Sequence, residues 1–212
     1  MVRLYQKLIG VILFLIAPMV WGQETPFPDV QPPYNELSPW GHTSHGTNWD
    51  TSPYLPFIYQ GVWFRLMPPN GVEYDRDTDT WTFPDSTTEY PLMVFNTGAG
   101  ERGNDNNEQL KHGGRQHRDA VLSGRFPGFL LFWQTESGYI SSQSVQGIIA
   151  KLINDLQVDP NRVYTNGFSR GGLITWQLIR DLPKTFAAGF PMSGASEHVF
   201  NMQSIHMPVR LA

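Results

Sequence analysis

Ser169 stands between two glycines in Gly167-Phe168-Ser169-Arg170-Gly171, directly after the strand-like run Arg162-Val163-Tyr164-Thr165-Asn166. A serine at a sharp strand-to-helix turn presents its hydroxyl for attack on a carbonyl, and the chemistry such a serine performs is acyl transfer. The glycines have a steric task. The turn strains the backbone at the serine, and a side chain two positions either way collides with the packed strand or helix. Gly172 relieves the same crowding. The rival reading is a tight glycine turn with a solvent-facing serine. Strand, turn and helix in that order are the context that favours a nucleophile elbow.

A second stretch could serve the same chemistry. Pro91-Leu92-Met93-Val94-Phe95-Asn96 is a short apolar strand that runs into Thr97-Gly98-Ala99-Gly100-Glu101-Arg102-Gly103, a glycine-rich loop with exposed backbone amides. An amide of Ala99 or Gly100, together with the amide of Arg170, forms the expected oxyanion hole, and each such donor stabilises the transition state by about 3 kcal/mol. A phosphate cradle is the rival for any glycine loop, but no Lys-Ser or Lys-Thr follows this one.

The elements that must hold these groups are legible in outline. Leu173, Ile174, Trp176, Leu178 and Ile179 give an apolar face to a helix over Gly171 to Leu182, which Pro183 stops. Asp159-Pro160-Asn161 is a turn that separates the elbow strand from a preceding helix over Ser141 to Gln157. Phe126 to Trp133 and Ala187 to Met192 read as core strands, and Phe57 to Met67 as one early strand. Glu73 to Trp81 reads as an acidic loop. It lacks the glycine and terminal glutamate of a calcium loop. Gly103 to Arg118 reads as a polar surface loop plus a short helix near the mouth of the site, where Asn104, Asp105 and Asn107 are candidate substrate contacts.

Together the elbow and the loop resemble the α/β-hydrolase superfamily. Within it they resemble the secreted esterase and predicted-peptidase group related to polyhydroxybutyrate depolymerases, feruloyl esterases and dienelactone hydrolases. The likeness covers about Tyr59 to Ala212. That group carries Ala-Gly-Glu-Arg-Gly after its first strand and Asp-Pro-x-Arg-Val-Tyr before its elbow, matched here by Ala99 to Gly103 and Asp159 to Tyr164. Its usual Leu-His-Gly strand ending is replaced by Asn96-Thr97-Gly98, with Thr97 offering a compensating hydroxyl. The resemblance implies an α/β fold, a mostly parallel sheet with helices on both faces, lacking its C-terminal strands.

It also implies the chain order serine, acid, histidine, since the serine needs a histidine to take its proton and a carboxylate to orient that histidine. The chain continues from Ser169 only to Ala212, with Pro208 to Ala212 resembling the start of a further strand. The acid and histidine are therefore expected beyond residue 212, and the fragment is expected to be inactive alone. Glu197 is a candidate acid in a displaced position. His198 and His206 fall one strand too early and before a strand. His42, His45, His112 and His117 read as solvated polar residues, and no metal or cofactor is expected, although His42 and His45 stand near Asp50.

With 40% hydrophobic residues the chain is globular, and a net charge of −4 argues against a nucleic-acid partner. It contains no cysteine, so it forms no disulfide. Arg3 and Lys7 precede an apolar run, Leu8 to Val20, too short to span a bilayer comfortably at about 20 residues. Residues 1–22 are read as a signal peptide for secretion or periplasmic export, with no membrane association after cleavage; an uncleaved anchor is the rival. Residues 23–56, rich in proline with Tyr34, Trp40, Trp49 and Tyr54, are read as an extended segment draped on an incomplete hydrolase domain, residues 57–212. The expected function is hydrolysis of a small-molecule or polysaccharide-linked ester. Its alternatives are a prolyl-oligopeptidase-like serine peptidase and a non-catalytic carbohydrate-binding or degenerate hydrolase module.

Overall fold

A computed structural model describes residues 49–194. The segment expected to be a signal peptide, His42, His45, Tyr34, Trp40, Glu197, His198, His206 and the strand expected at Pro208 lie outside them.

Eight strands and three helices follow one another: β1 (Leu55–Tyr59), β2 (Val62–Met67), β3 (Glu73–Asp75), β4 (Thr80–Thr82), β5 (Tyr90–Asn96), α1 (Gly114–Leu122), β6 (Phe129–Gln134), α2 (Ser142–Asp155), β7 (Val158–Phe168), α3 (Arg170–Asp181) and β8 (Ala188–Met192). Six strands form one sheet in the order β1-β2-β6-β5-β7-β8, in which β5, β6, β7 and β8 run parallel and β1 and β2 are antiparallel. The parallel strands are joined through helices, as parallel neighbours require. Their sequences are correspondingly apolar. All six residues of β6, Phe-Leu-Leu-Phe-Trp-Gln, are buried, because both faces of the strand are covered.

One face packs against α2 and α3, with Leu92, Val94, Leu131, Val163, Ile148 and Leu178 in its core. The other packs against α1, with Tyr54, Phe95, Leu110, Val121 and Phe132. Alternation along each strand explains the division: Val94 faces one layer and Phe95 the other. Ser141 caps α2 by accepting a hydrogen bond from the Ser144 amide, which fixes where that helix begins.

Three expectations are corrected. The early strand over Phe57 to Met67 is two antiparallel strands joined at Gln60-Gly61, whose φ angles of 49° and 78° reverse the chain in two residues. The acidic loop is a hairpin, β3 with β4, in which the Asp75 carboxylate accepts from the Asp77 and Thr78 amides. The short helix expected within Gly103 to Arg118 is α1, but the stretch before it is not a surface loop throughout: Asp105, Asn106, Glu108 and Gln109 are all buried. Polar residues are buried there because each finds a polar partner, backbone for Asp105 and Asn106 and a side chain for Glu108 and Gln109. Asp105 accepts from the Asn107 and Glu108 amides at 2.9 and 3.0 Å, and Gln134 of β6 accepts from the Asn106 amide at 2.7 Å.

Tyr54 fills a gap on the body. It is fully buried, its ring meets Phe132 edge-on, and its hydroxyl donates to the Gly114 carbonyl at 2.7 Å.

Candidate active site

Parallel pairing sets the site. Asn96, the last residue of β5, lies opposite Gly167 near the end of β7. The glycine loop after β5 and the turn after β7 therefore leave the same edge of the sheet as neighbours. That edge, outside the carboxyl ends of the strands, is where open α/β sheets bind ligands.

Ser169 has φ 56° and ψ −122°, a conformation that side chains rarely adopt and that costs of order 1–3 kcal/mol. Three contacts hold it there. Its amide donates to the Met192 carbonyl of β8 at 2.9 Å, and its carbonyl accepts from the Gly172 and Leu173 amides at 3.0 and 3.2 Å. It is the N-cap of α3, yet its side chain makes no capping hydrogen bond. Ser169 is thus exposed, its hydroxyl without a hydrogen-bond partner among the described residues, at a turn of the kind that presents a nucleophile.

The two glycines of the elbow are required by contact. A β-carbon on Gly171 would lie 1.9 Å from the Asn96 carbonyl oxygen, and one on Gly167 would lie 2.4 Å from the same atom. The end of β5 is pressed between the two arms of the turn, so only hydrogen fits at either position.

Asn96 is a residue whose importance the sequence did not disclose. Its amide nitrogen donates to Thr165 Oγ1 at 2.9 Å, the Asn166 carbonyl at 3.1 Å and Thr175 Oγ1 at 2.9 Å, and its oxygen accepts from Trp133 Nε1 at 2.8 Å. One fully buried side chain therefore joins β5, β6, β7 and α3 directly beneath the elbow. Its only sequence signal is a polar residue closing an apolar strand. Thr97 beside it is also buried.

The loop runs on as a 3-10 turn over Ala99–Glu101, with Ala99 half-buried and Gly100 exposed. Gln134 Nε2 donates to the Glu101 carbonyl at 3.2 Å, and the Gly103 amide donates to the Thr135 carbonyl at 3.1 Å. Arg170 opens α3, where the first amides have no intrahelical acceptor. Its guanidinium lies 4.6 Å from the centre of the exposed Tyr139 ring and donates to the Ser137 carbonyl at 3.3 Å. Partial desolvation, with Arg170 nearby, holds the Arg102 guanidinium below its ordinary pKa.

Two histidines read as solvated are engaged. His112 meets the Glu101 carboxylate through Nδ1. His117 is bonded to the Gly113 carbonyl at 2.8 Å through Nδ1 and to Asn166 Nδ2 at 3.1 Å through Nε2, and its ring packs edge-on against Phe95 and Phe132. Burial lowers its pKa. Among the described residues no imidazole or carboxylate is hydrogen-bonded to the Ser169 hydroxyl. Of the candidate site residues, Ser169, Arg170, Ala99 and Gly100 share one edge of the sheet, and Glu197 lies outside the described region. Asp105, a candidate substrate contact, is instead buried in the loop's own scaffold, while Asn104 donates to Glu136 at 3.0 Å.

No protein-family model matches the chain, and no curated protein matches its sequence. Solved structures do. A thermostable esterase is 30% identical with a TM-score of 0.60 over 76% of this chain and 46% of its own. An S-formylglutathione hydrolase from Staphylococcus aureus is 14% identical with a TM-score of 0.48, covering 71% of this chain and 62% of that one. An acetyl xylan esterase from Aspergillus awamori is 16% identical with a TM-score of 0.44, covering 68% and 51%. The chain spans less than half the length of the thermostable esterase. It has the α/β-hydrolase fold, to which its mostly parallel sheet with intervening helices and its likeness to the thermostable esterase both point.

Proposed function

We propose that this chain, an α/β-hydrolase by fold, is the nucleophile-bearing part of a serine hydrolase that cleaves carboxylic esters. The observation that carries the reading is Ser169 itself. Its strained φ of 56°, its uncommitted hydroxyl and its place opposite a loop of exposed amides are what acyl transfer needs. The likeness to a thermostable esterase supports an ester over other acyl substrates.

Ser169 Oγ gives up its proton to a base and attacks the carbonyl carbon. The resulting oxyanion is received by the amides of Arg170 and of Ala99 or Gly100. When the carbon–oxygen bond to the leaving group breaks, the alcohol takes up the proton and the acyl group stays on Ser169. Water, deprotonated by the same base, then releases the carboxylic acid. We place the base and its orienting acid outside residues 49–194, because no described imidazole or carboxylate is hydrogen-bonded to the hydroxyl. The charged, apolar opening residues, with Arg3, Lys7 and Leu8 to Val20, support export from the cytoplasm.

The test is hydrolysis of p-nitrophenyl acetate and of a peptide anilide by the whole protein that carries this chain, base and acid included, and by its Ser169→Ala variant. Turnover of the ester, reduced at least about 10⁴-fold by the substitution, supports the proposal. Preferential cleavage of the anilide, or ester turnover that survives Ser169→Ala, overturns it.

A further inference from the structure

The glycine loop carries a second pair of chemistry-bearing groups that the proposed reaction does not use. Glu101 closes the 3-10 turn with its side chain only 3% exposed. One carboxylate oxygen meets Nδ1 of His112, and the other is buried with no hydrogen-bond partner among the described residues. That orphaned oxygen sits under the loop, 2.7 Å from where a β-carbon on Gly98 would stand. Burying a carboxylate with an oxygen unsatisfied is costly, and an apolar side chain of similar size would fill the space at lower free energy. Stability alone therefore does not account for it.

Its surroundings suggest what does. Gly98 also faces Phe168, whose ring would lie 3.2 Å from the same β-carbon, and Phe168 immediately precedes Ser169. The His112 ring stands edge-on to Phe168 with centroids 5.6 Å apart. Gln134 and Thr135 hold the far end of the turn to β6 through the backbone of Glu101 and Gly103. From the same turn the Glu101 side chain reaches His112, whose ring in turn packs on Phe168 at the elbow.

We propose that Glu101 and His112 are a positioning pair, in which the imidazole, set against Phe168, donates Nδ1–H to the buried carboxylate and fixes the Ala99 and Gly100 amides relative to Ser169. Its effect on rate rests on the ester-hydrolase reading; the tie itself does not. Neither residue is catalytic.

Two readouts separate these dependencies: hydrogen exchange of the amides from Gly98 to Arg102, and the rate constant for labelling by a fluorophosphonate. Both are measured in the wild type, His112→Ala and His112→Asn. The Asn amide keeps a donor where Nδ1 stood, so it should rescue both readouts. His112→Ala is expected to raise exchange across the loop and to slow labelling about tenfold to a hundredfold, the scale of a misplaced transition-state contact. Unchanged exchange in His112→Ala, or a His112→Asn variant as impaired as His112→Ala, overturns the proposal. Absence of labelling in the wild type would instead overturn the serine-hydrolase reading, with exchange alone then deciding the tie.

Discussion

The side chain that decides the local geometry of this site is Asn96, and its effect is measurable. Four hydrogen bonds converge on it inside a fully buried region, two of them from or to hydroxyls of threonine and one from the Trp133 indole. Asn96→Leu keeps the volume while leaving the Trp133 N–H and other polar atoms without partners. Urea denaturation should show a loss of about 3 kcal/mol, since each orphaned buried group costs ~1–3 kcal/mol. An unchanged midpoint would mean that these bonds do not hold the elbow. Nothing in the sequence marks this residue, because one asparagine after an apolar run looks like the start of a loop. Ser169 was legible for the opposite reason: two glycines flank it at fixed spacing, and the Asn96 carbonyl between them explains why. Glu101 and His112 were hidden because they are separated along the chain and meet only through the fold.

At the scale of elements, β7, the elbow and α3 follow the strand-turn-helix order read from the sequence, with ends shifted by only a few residues. Periodicity and punctuation carry that information locally. The hairpin of β1 and β2 was missed because Gln60-Gly61 lacks the usual asparagine or aspartate before the glycine, and positive φ at Gln60 is imposed by strand pairing. Helix α1 is docked in a way that makes stability depend on pH. Its His117 is half-buried, packed edge-on against Phe95 and Phe132 and bonded to Asn166. Burial lowers the imidazole's pKa in the folded state, an effect only partly opposed by the Gly113 carbonyl. Between that lowered value and the unfolded value of about 6.5, the unfolded chain binds more protons, so stability rises with pH there. The contribution is full above about pH 7 and is lost on acidification through and below about 6.5. Urea midpoints should therefore fall between about pH 7.5 and pH 5, and His117→Gln should flatten that fall. Equal pH dependence in the two proteins would contradict the assignment.

For the molecule as a whole, the fold class was expected from the resemblance carried by the elbow and the glycine loop, and the observed sheet, with its parallel strands joined through helices, agrees with it. The site is less complete than the fold, for a physical reason. A triad is assembled from loops far apart in sequence, and the described residues supply the proposed nucleophile and the proposed oxyanion loop with no imidazole or carboxylate hydrogen-bonded to the hydroxyl. The central claim is that Ser169 is a nucleophile, and the most direct measurement is treatment of the folded protein with a fluorophosphonate followed by intact mass and peptide mapping. One adduct per chain, mapped to Ser169 and lost on prior unfolding, is the result this account predicts. A protein that stays unmodified, or is modified at another serine, would contradict it.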